Sequence, residues 1–142
     1  MSISLVKQHD IKDCGAACLS MICRFYGLKL PLATLRSLIK VDSNGANIYG
    51  IVNGAKQVGL SAEPLEGTLE EFLNSYNNKE IPLPLIARVI IDNTLEHFVV
   101  VYKIKGNNIY VADPYKGFLK YSYKDFFSIW TGHIIIFEKT VV

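Results

Sequence analysis

Residues 8–27 read QHDIKDCGAACLSMICRFYG, and the other elements are placed relative to this stretch. Asp13 is a residue type that caps helices, and Ala17, Cys18, Met21, Ile22 and Phe25 recur at helical spacing until Gly27 supplies a stop. The pattern predicts a helix with Cys14 in its first turn. There the unpaired backbone N–H groups and the positive end of the helix dipole favour a thiolate over a thiol, which makes Cys14 a candidate nucleophile. The carboxylate of Asp13 works against that chemistry from next door, so the reading needs a histidine partner.

Working outward, LKLPLATLRSLI reads as a short second helix with Pro31 near its first turn and Leu32, Leu35, Leu38 and Ile39 on one face. After the polar loop DSNG, Asn47 can cap a third helix, IYGIVNGAKQV, with Ile48, Ile51, Val52, Ala55 and Val58 as its buried stripe. Gly50 and Gly54 lie one turn apart on its other side, where glycine costs ~1 kcal/mol against alanine; close packing against another helix is favoured over approach by a substrate chain. An extended piece, LSAEPLE, leads to Thr68 and Glu71, a capping box opening a fourth helix with Leu69, Phe72, Leu73 and Tyr76 inward.

From Pro84 the period changes. LPLIARVIID, EHFVVVYKI, NIYVADP, GFLKYSY and GHIIIFEK are rich in Val, Ile, Phe and Tyr and predict five strands, with a short helix YKDFFSIW capped by Ser122 and Asp125 before the last. Helices first and a mostly antiparallel sheet second make an α+β fold in which the cysteine helix packs on the sheet. With 142 residues, 50% hydrophobic and 20% charged, and no internal repeat or linker, residues 1–142 read as a single domain.

Composition also excludes classes of function. The net charge of +2 is spread out, without basic residues interleaved with aromatics on a common face, so no nucleic-acid partner is expected. The start, MSISLVKQHD, lacks a secretory pattern, and IPLPLIARVII is broken by two prolines and Arg88, short of the ~20 residues a spanning helix needs. Cys14, Cys18 and Cys23 share one helix, where a disulfide would be strained, and suggest a reducing compartment. Cys18 and Cys23 read as small core residues. Cys14 and Cys18 lie on one helix face as zinc ligands would, but no second pair at ligand spacing completes a site, and no metal or cofactor is expected.

Three histidines are candidate partners for Cys14. His9 lies in the loop before the helix and His133 begins the last strand, where a core or surface role explains it. His97 opens HFVVVYKI, and the next strand ends at Asp113. A hairpin turning around Lys105, Gly106 and Asn107 brings His97 and Asp113 together. A three-residue loop would put Asp113 opposite Val99 with His97 diagonal to it on the same face, whereas two or four residues would put them on opposite faces; the reading demands an odd loop or a bulge. His97 would then take the Cys14 proton or pair with the thiolate, and Asp113 would orient the imidazole. Gln8, six residues before Cys14, could donate with the Cys14 N–H to an oxyanion, and Gly15 keeps the approach open.

The set Gln8, Asp13-Cys14-Gly15, His97-Phe98-Val99-Val100-Val101 and Ala112-Asp113-Pro114 resembles the papain-like peptidase domain at the N-terminus of bacterial bacteriocin-processing ABC exporters. The likeness covers essentially the whole chain. It implies a cysteine endopeptidase that cuts a precursor peptide after a double-glycine-type leader, with Gln8, Cys14, His97 and Asp113 as oxyanion donor, nucleophile, base and orienting acid. Its implied partners are the precursor peptide and the transmembrane and nucleotide-binding parts of the same transporter, at the cytoplasmic face of the plasma membrane. In that family the leader docks as an amphipathic helix on a hydrophobic groove, which Tyr26, Tyr49 or Tyr76 could serve, although core packing explains each as well. A non-cleaving leader-docking module and another papain-like acyl-transfer enzyme are the alternative functions.

Overall fold

The computed structural model describes residues 2–8, 11–40, 47–92 and 95–140, so the DSNG loop and His9 lie outside the described residues. A 3-10 turn, Ile11–Asp13, runs directly into α1, Cys14–Phe25. Then come α2 (Leu32–Ile39), α3 (Ile48–Gln57), β1 (Leu60–Glu66), α4 (Leu69–Asn77), β2 (Leu85–Ile91), β3 (Leu95–Lys105), β4 (Asn108–Asp113), β5 (Gly117–Ser122), α5 (Tyr123–Ile129) and β6 (Trp130–Lys139). The α+β reading holds. Asn47 caps α3 through a 2.8 Å bond from the Gly50 N–H, Thr68 and Glu71 form the full capping box of α4, and Ser122 accepts from the Asp125 N–H at α5.

The sheet has six strands in the order β1-β6-β2-β3-β4-β5, and every neighbouring pair is antiparallel. The extended piece LSAEPLE is the sixth strand: it pairs with β6 from Leu60 against Lys139 to Glu66 against His133. Pro64 obscured it in the sequence, but β1 is an edge, and an edge strand has a free side on which a missing N–H is tolerated.

Both faces of the sheet are covered. Ile86, Phe98, Val100, Ala112, Ile135 and Phe137 join Leu19, Ile22, Leu35 and Ile51 of the first three helices, while Val89, Val99, Val101, Val111 and Ile134 pack with Phe72 of α4 and Phe126 of α5. Burial on both sides is why HFVVV is a continuous apolar run rather than an alternating one. Helix α1 is more enclosed than a one-sided stripe suggests, with every residue from Cys14 to Cys23 buried. It lies against β3 with α2 and α3 around it. Fully burying side chains such as Leu19, Met21 and Ile22 contributes roughly 1.5–3 kcal/mol each, so this enclosure holds the position of the helix start firmly.

The paired glycines of α3 are explained by close packing. A Cβ on Gly50 would fall 2.6 Å from the backbone oxygen of Ile39, and one on Gly54 2.6 Å from the Ile39 Cγ2, so the end of α2 presses on that face. Because the Ile39 carbonyl is backbone in a buried turn of helix, Gly50→Ala should lower unfolding free energy by roughly 1–3 kcal/mol in urea denaturation, overriding the ~1 kcal/mol that alanine ordinarily adds to a helix. Asn53→Ala, on the exposed side of the same helix, should leave stability within about 0.5 kcal/mol.

Candidate active site

Cys14 is the first residue of α1 and is 6% exposed. Asp13 sits at the N-cap, but it does not cap in the expected way: its backbone is helical (φ −89°, ψ −1°) and its side chain makes no capping bond. The preceding 3-10 turn carries the chain into α1, and the carboxylate turns to Arg36 of α2, whose Nε donates to Oδ1 at 2.7 Å and Nη2 to Oδ2 at 2.8 Å. Asp13 is 1% exposed, so this fork supplies the charge that a buried carboxylate requires. The negative charge anticipated beside Cys14 is thereby held by a cation, a pairing across 23 residues that no local pattern announces.

The hairpin meets its demand by the bulge. Lys105 pairs with Asn108, so the loop is the two residues Gly106 and Asn107, and Lys105 belongs to the strand rather than the turn. Gly106 carries φ +61° at the first central position, the conformation a type II′ turn reserves for glycine. Pairing then steps from Lys103–Tyr110 to Val101–Val111 and Val100–Ala112, which makes Tyr102 the extra residue. One inserted residue restores the register that sets Asp113 against Val99 and brings His97 within reach.

His97 Nε2 lies 2.8 Å from Asp113 Oδ1, with His97 4% exposed and Asp113 fully buried. The same Oδ1 accepts from the backbone N–H of Tyr115 at 2.8 Å and of Lys116 at 3.2 Å, an Asx-type turn that the run Asp113-Pro114-Tyr115-Lys116-Gly117 encodes locally. Burial alone would push the Asp113 carboxyl up, but the His97 bond and charge and the two N–H donors hold it below its ordinary value. Burial likewise opposes the His97 imidazolium. Hydrogen bonds to Asp113 and to the Cys14 side chain, with the attraction of both groups, outweigh it and raise His97 to about 9. With Nε2 engaged by Asp113, Nδ1 is the ring nitrogen left for Cys14.

Gln8 is brought to the same place by its backbone: its N–H donates to the Pro114 carbonyl at 2.9 Å, one residue past Asp113, and Lys7 Nζ reaches the Tyr115 carbonyl at 3.2 Å. The N-terminal segment and the Asp113 turn are thus tied together. The other sulfurs and the last histidine have different settings. Burial raises the Cys18 thiol well above its ordinary value, with the charges of Cys14 and Asp113 adding to it, and burial raises Cys23 to about 11; both remain thiols. His133 is two strands from His97 and bonds Glu66 at 3.0 Å and Thr131 at 3.0 Å. Tyr26 donates to the Phe137 carbonyl at 3.0 Å, a packing role, whereas Tyr49 is 73% exposed.

This arrangement joins a thiol at a helix start, an imidazole that holds its proton at neutral pH, and a carboxylate that orients it. Such a set can attack an acyl carbon and then protonate a leaving amine. Among the described residues no cluster of three or more His, Cys, Asp or Glu could hold a metal, and no helix is long and apolar enough to cross a membrane.

Comparison with known proteins agrees in sequence and in shape. The chain is 38% identical over 135 residues to the lactococcin-G-processing and transport ATP-binding protein LagD of Lactococcus lactis subsp. lactis, covering 95% of this chain but 18% of LagD. The chain thus spans under a fifth of the length of the curated relatives it matches, 18% in each of the first three. The peptidase domain of Streptococcus ComA, a bifunctional ABC transporter of a quorum-sensing pathway, superposes with TM-score 0.89 at 30% identity, over 98% of this chain and 100% of that one. A double-glycine-motif protease from an AMS/PCAT transporter, solved with its leader peptide, superposes with TM-score 0.87 at 29% identity, over 98% and 93% of the two chains. The Peptidase C39 family model matches residues 2–141, nearly end to end, and with that span and these neighbours the chain belongs to the Peptidase C39 family.

Proposed function

We propose that this chain is a leader peptidase: Cys14, His97 and Asp113 act as a catalytic triad that cleaves a precursor peptide after a double-glycine-type junction. The observation that carries the reading is the buried imidazole of His97, whose Nε2 is held 2.8 Å from the buried Asp113 carboxylate while Cys14 stands at the start of α1. The Cys14 thiolate attacks the carbonyl carbon of the second glycine. The oxyanion that forms accepts hydrogen bonds from the Cys14 N–H and the Gln8 side-chain amide, and His97 passes its proton to the amine as the C–N bond breaks. Water then attacks the thioester, His97 takes the water's proton, and the Cys14 thiolate leaves with the imidazolium restored. Small residues at the junction suit a narrow channel that rejects larger side chains by clash.

LagD is a processing and transport protein several times longer, and the ComA structure is the peptidase domain of an ABC transporter, which supports placing this chain as one domain of an ABC exporter, working at the cytoplasmic face of the membrane beside transmembrane and nucleotide-binding parts. A peptide of bacteriocin or lanthipeptide type is the cargo class this placement favours.

The test is incubation with a synthetic leader–cargo peptide carrying a Gly-Gly junction under reducing conditions, read by mass spectrometry. Cleavage after the second glycine is expected from the parent and none from Cys14→Ala. Gln8→Ala should lower kcat by about 10²-fold or more, the loss typical of one oxyanion donor. Binding without cleavage by the parent would instead identify a docking module, and neither binding nor cleavage of any such peptide would point to a different acyl donor.

The protonation of His97 adds a pH signature. Its proton is held more tightly in the folded chain, about 9 against 6.5 for the ordinary group, so its stabilising contribution is full below about pH 6.5 and is lost as pH rises to about 9. A shift of that size corresponds to on the order of 3 kcal/mol. The kcat/KM profile should fall on its alkaline side near pH 9, where the proton for the leaving amine is gone. In Asp113→Asn the histidine resonances should titrate at lower pH and the alkaline limb should move down with them; an unmoved His97 titration would break the proposed role of Asp113.

A further inference from the structure

An aspartate at a helix N-cap ordinarily turns its carboxylate over the first-turn N–H groups. Asp13 has that position on α1 and makes no such bond: its backbone is helical, running on from the 3-10 turn, and both its oxygens are engaged by Arg36 at 2.7 and 2.8 Å. The partners are unequal in setting: the Asp13 side chain is 1% exposed and that of Arg36 38%. The guanidinium thus reaches inward from α2 to a carboxylate one residue from Cys14. A carboxylate lying over the helix start would oppose a thiolate and an oxyanion in the same place, and would occupy N–H groups the chemistry uses.

We propose that Arg36 is a positioning residue for the nucleophile. By gripping the Asp13 carboxylate in a two-bond fork it neutralises that charge and holds it turned toward α2, away from the sulfur one residue on. A lysine would not serve equally, since the planar fork matches both oxygens at once. The consequence for turnover rests on the peptidase reading; the consequence for the reactivity of Cys14 does not. The other charged and titratable groups near Cys14 are His97 of β3, Asp113 of β4 and Cys18 of α1. Lys12 is exposed, Arg88 of β2 is engaged by Glu96, and α3 contributes Tyr49 and Lys56, both exposed.

The experiment measures the rate of iodoacetamide alkylation of Cys14 against pH, by mass spectrometry of the folded protein, for the parent, Arg36→Met and the double variant Asp13→Ala/Arg36→Met. Thermal denaturation confirms folding in each, and Arg36→Gln, which can donate one bond without the charge, replaces Arg36→Met if that variant does not fold. The single variant should displace the alkylation profile upward by about one pH unit, a roughly tenfold slower reaction on its acidic limb. The double variant should return to within about twofold of the parent, since the carboxylate is gone with its cation. A merely structural Arg36 predicts no such rescue. Superimposable profiles for parent and Arg36→Met, or a double variant displaced as far as the single, would overturn the proposal. Cleavage of the Gly-Gly peptide by the same proteins is read separately: a parent that alkylates as expected but cuts nothing removes the peptidase reading and leaves the role of Arg36 standing.

Discussion

An imidazole and a carboxylate buried together at one end of a β-sheet are costly unless each satisfies the other, and the His97–Asp113 bond is the interaction on which the site geometry depends. The pair forms only in one register of β3 against β4. The two-residue loop at Gly106 and Asn107 sets the wrong register, and the extra residue at Tyr102 corrects it before the strand reaches its end. That bulge sits where the sheet has room for it: Tyr102 is half-buried, in ring contact with Tyr110 and Phe118 rather than wedged in the core. The run Val99 to Val101, buried on both faces, then holds the corrected register against slippage, because a one-residue shift would exchange two apolar layers.

The cysteine must meet that pair from a different element, and α1 does so by being enclosed. A helix with one apolar stripe could rock on the sheet; one buried from Cys14 through Cys23 is fixed by packing on several sides. The same enclosure makes Cys18 and Cys23 chemically quiet, since burial penalises their thiolates. Only at the first turn do the sequence and the fold leave a sulfur beside a proton carrier. The N-terminal segment completes the join from outside, with Gln8 bonded to the Pro114 carbonyl just past Asp113, so that one turn positions groups from both ends of the site.

Much of this could be read in the sequence because it is local. The caps at Asn47, Thr68 and Ser122, the strands from Leu85 onward and the spacing of glycines on α3 depend on neighbours within a few residues, and the structure reproduces them. The need for a bulge or odd loop followed from counting side-chain alternation, but which of the two occurs depends on how Tyr102 packs, and that is tertiary. β1 was hidden for the same reason: Pro64 weakens the strand signal, and only pairing with β6 makes the segment a strand. Asp13 shows the sharpest departure. Its sequence context is that of a capping residue, and a 3-10 turn that makes its backbone helical, with a guanidinium from another helix, overrides it.

That override also orders the charges around Cys14. Two carboxylates, Asp13 and Asp113, lie close to a residue whose reactive form is an anion, which taken alone is an unfavourable setting. The structure answers each with its own cation: Arg36 forks onto Asp13, and His97 stands toward Asp113 with its other nitrogen left for the sulfur. The two pairs are not equivalent. The Arg36 pair is fixed in charge, because a guanidinium does not release its proton in this range. The His97 pair is the one that can change, since its proton is held to about 9 and can be released, as the proposed reaction requires. In the proposed reaction, a static ion pair on one side of the sulfur and a titratable one on the other would let the proton move while the charge next to the helix start stays constant.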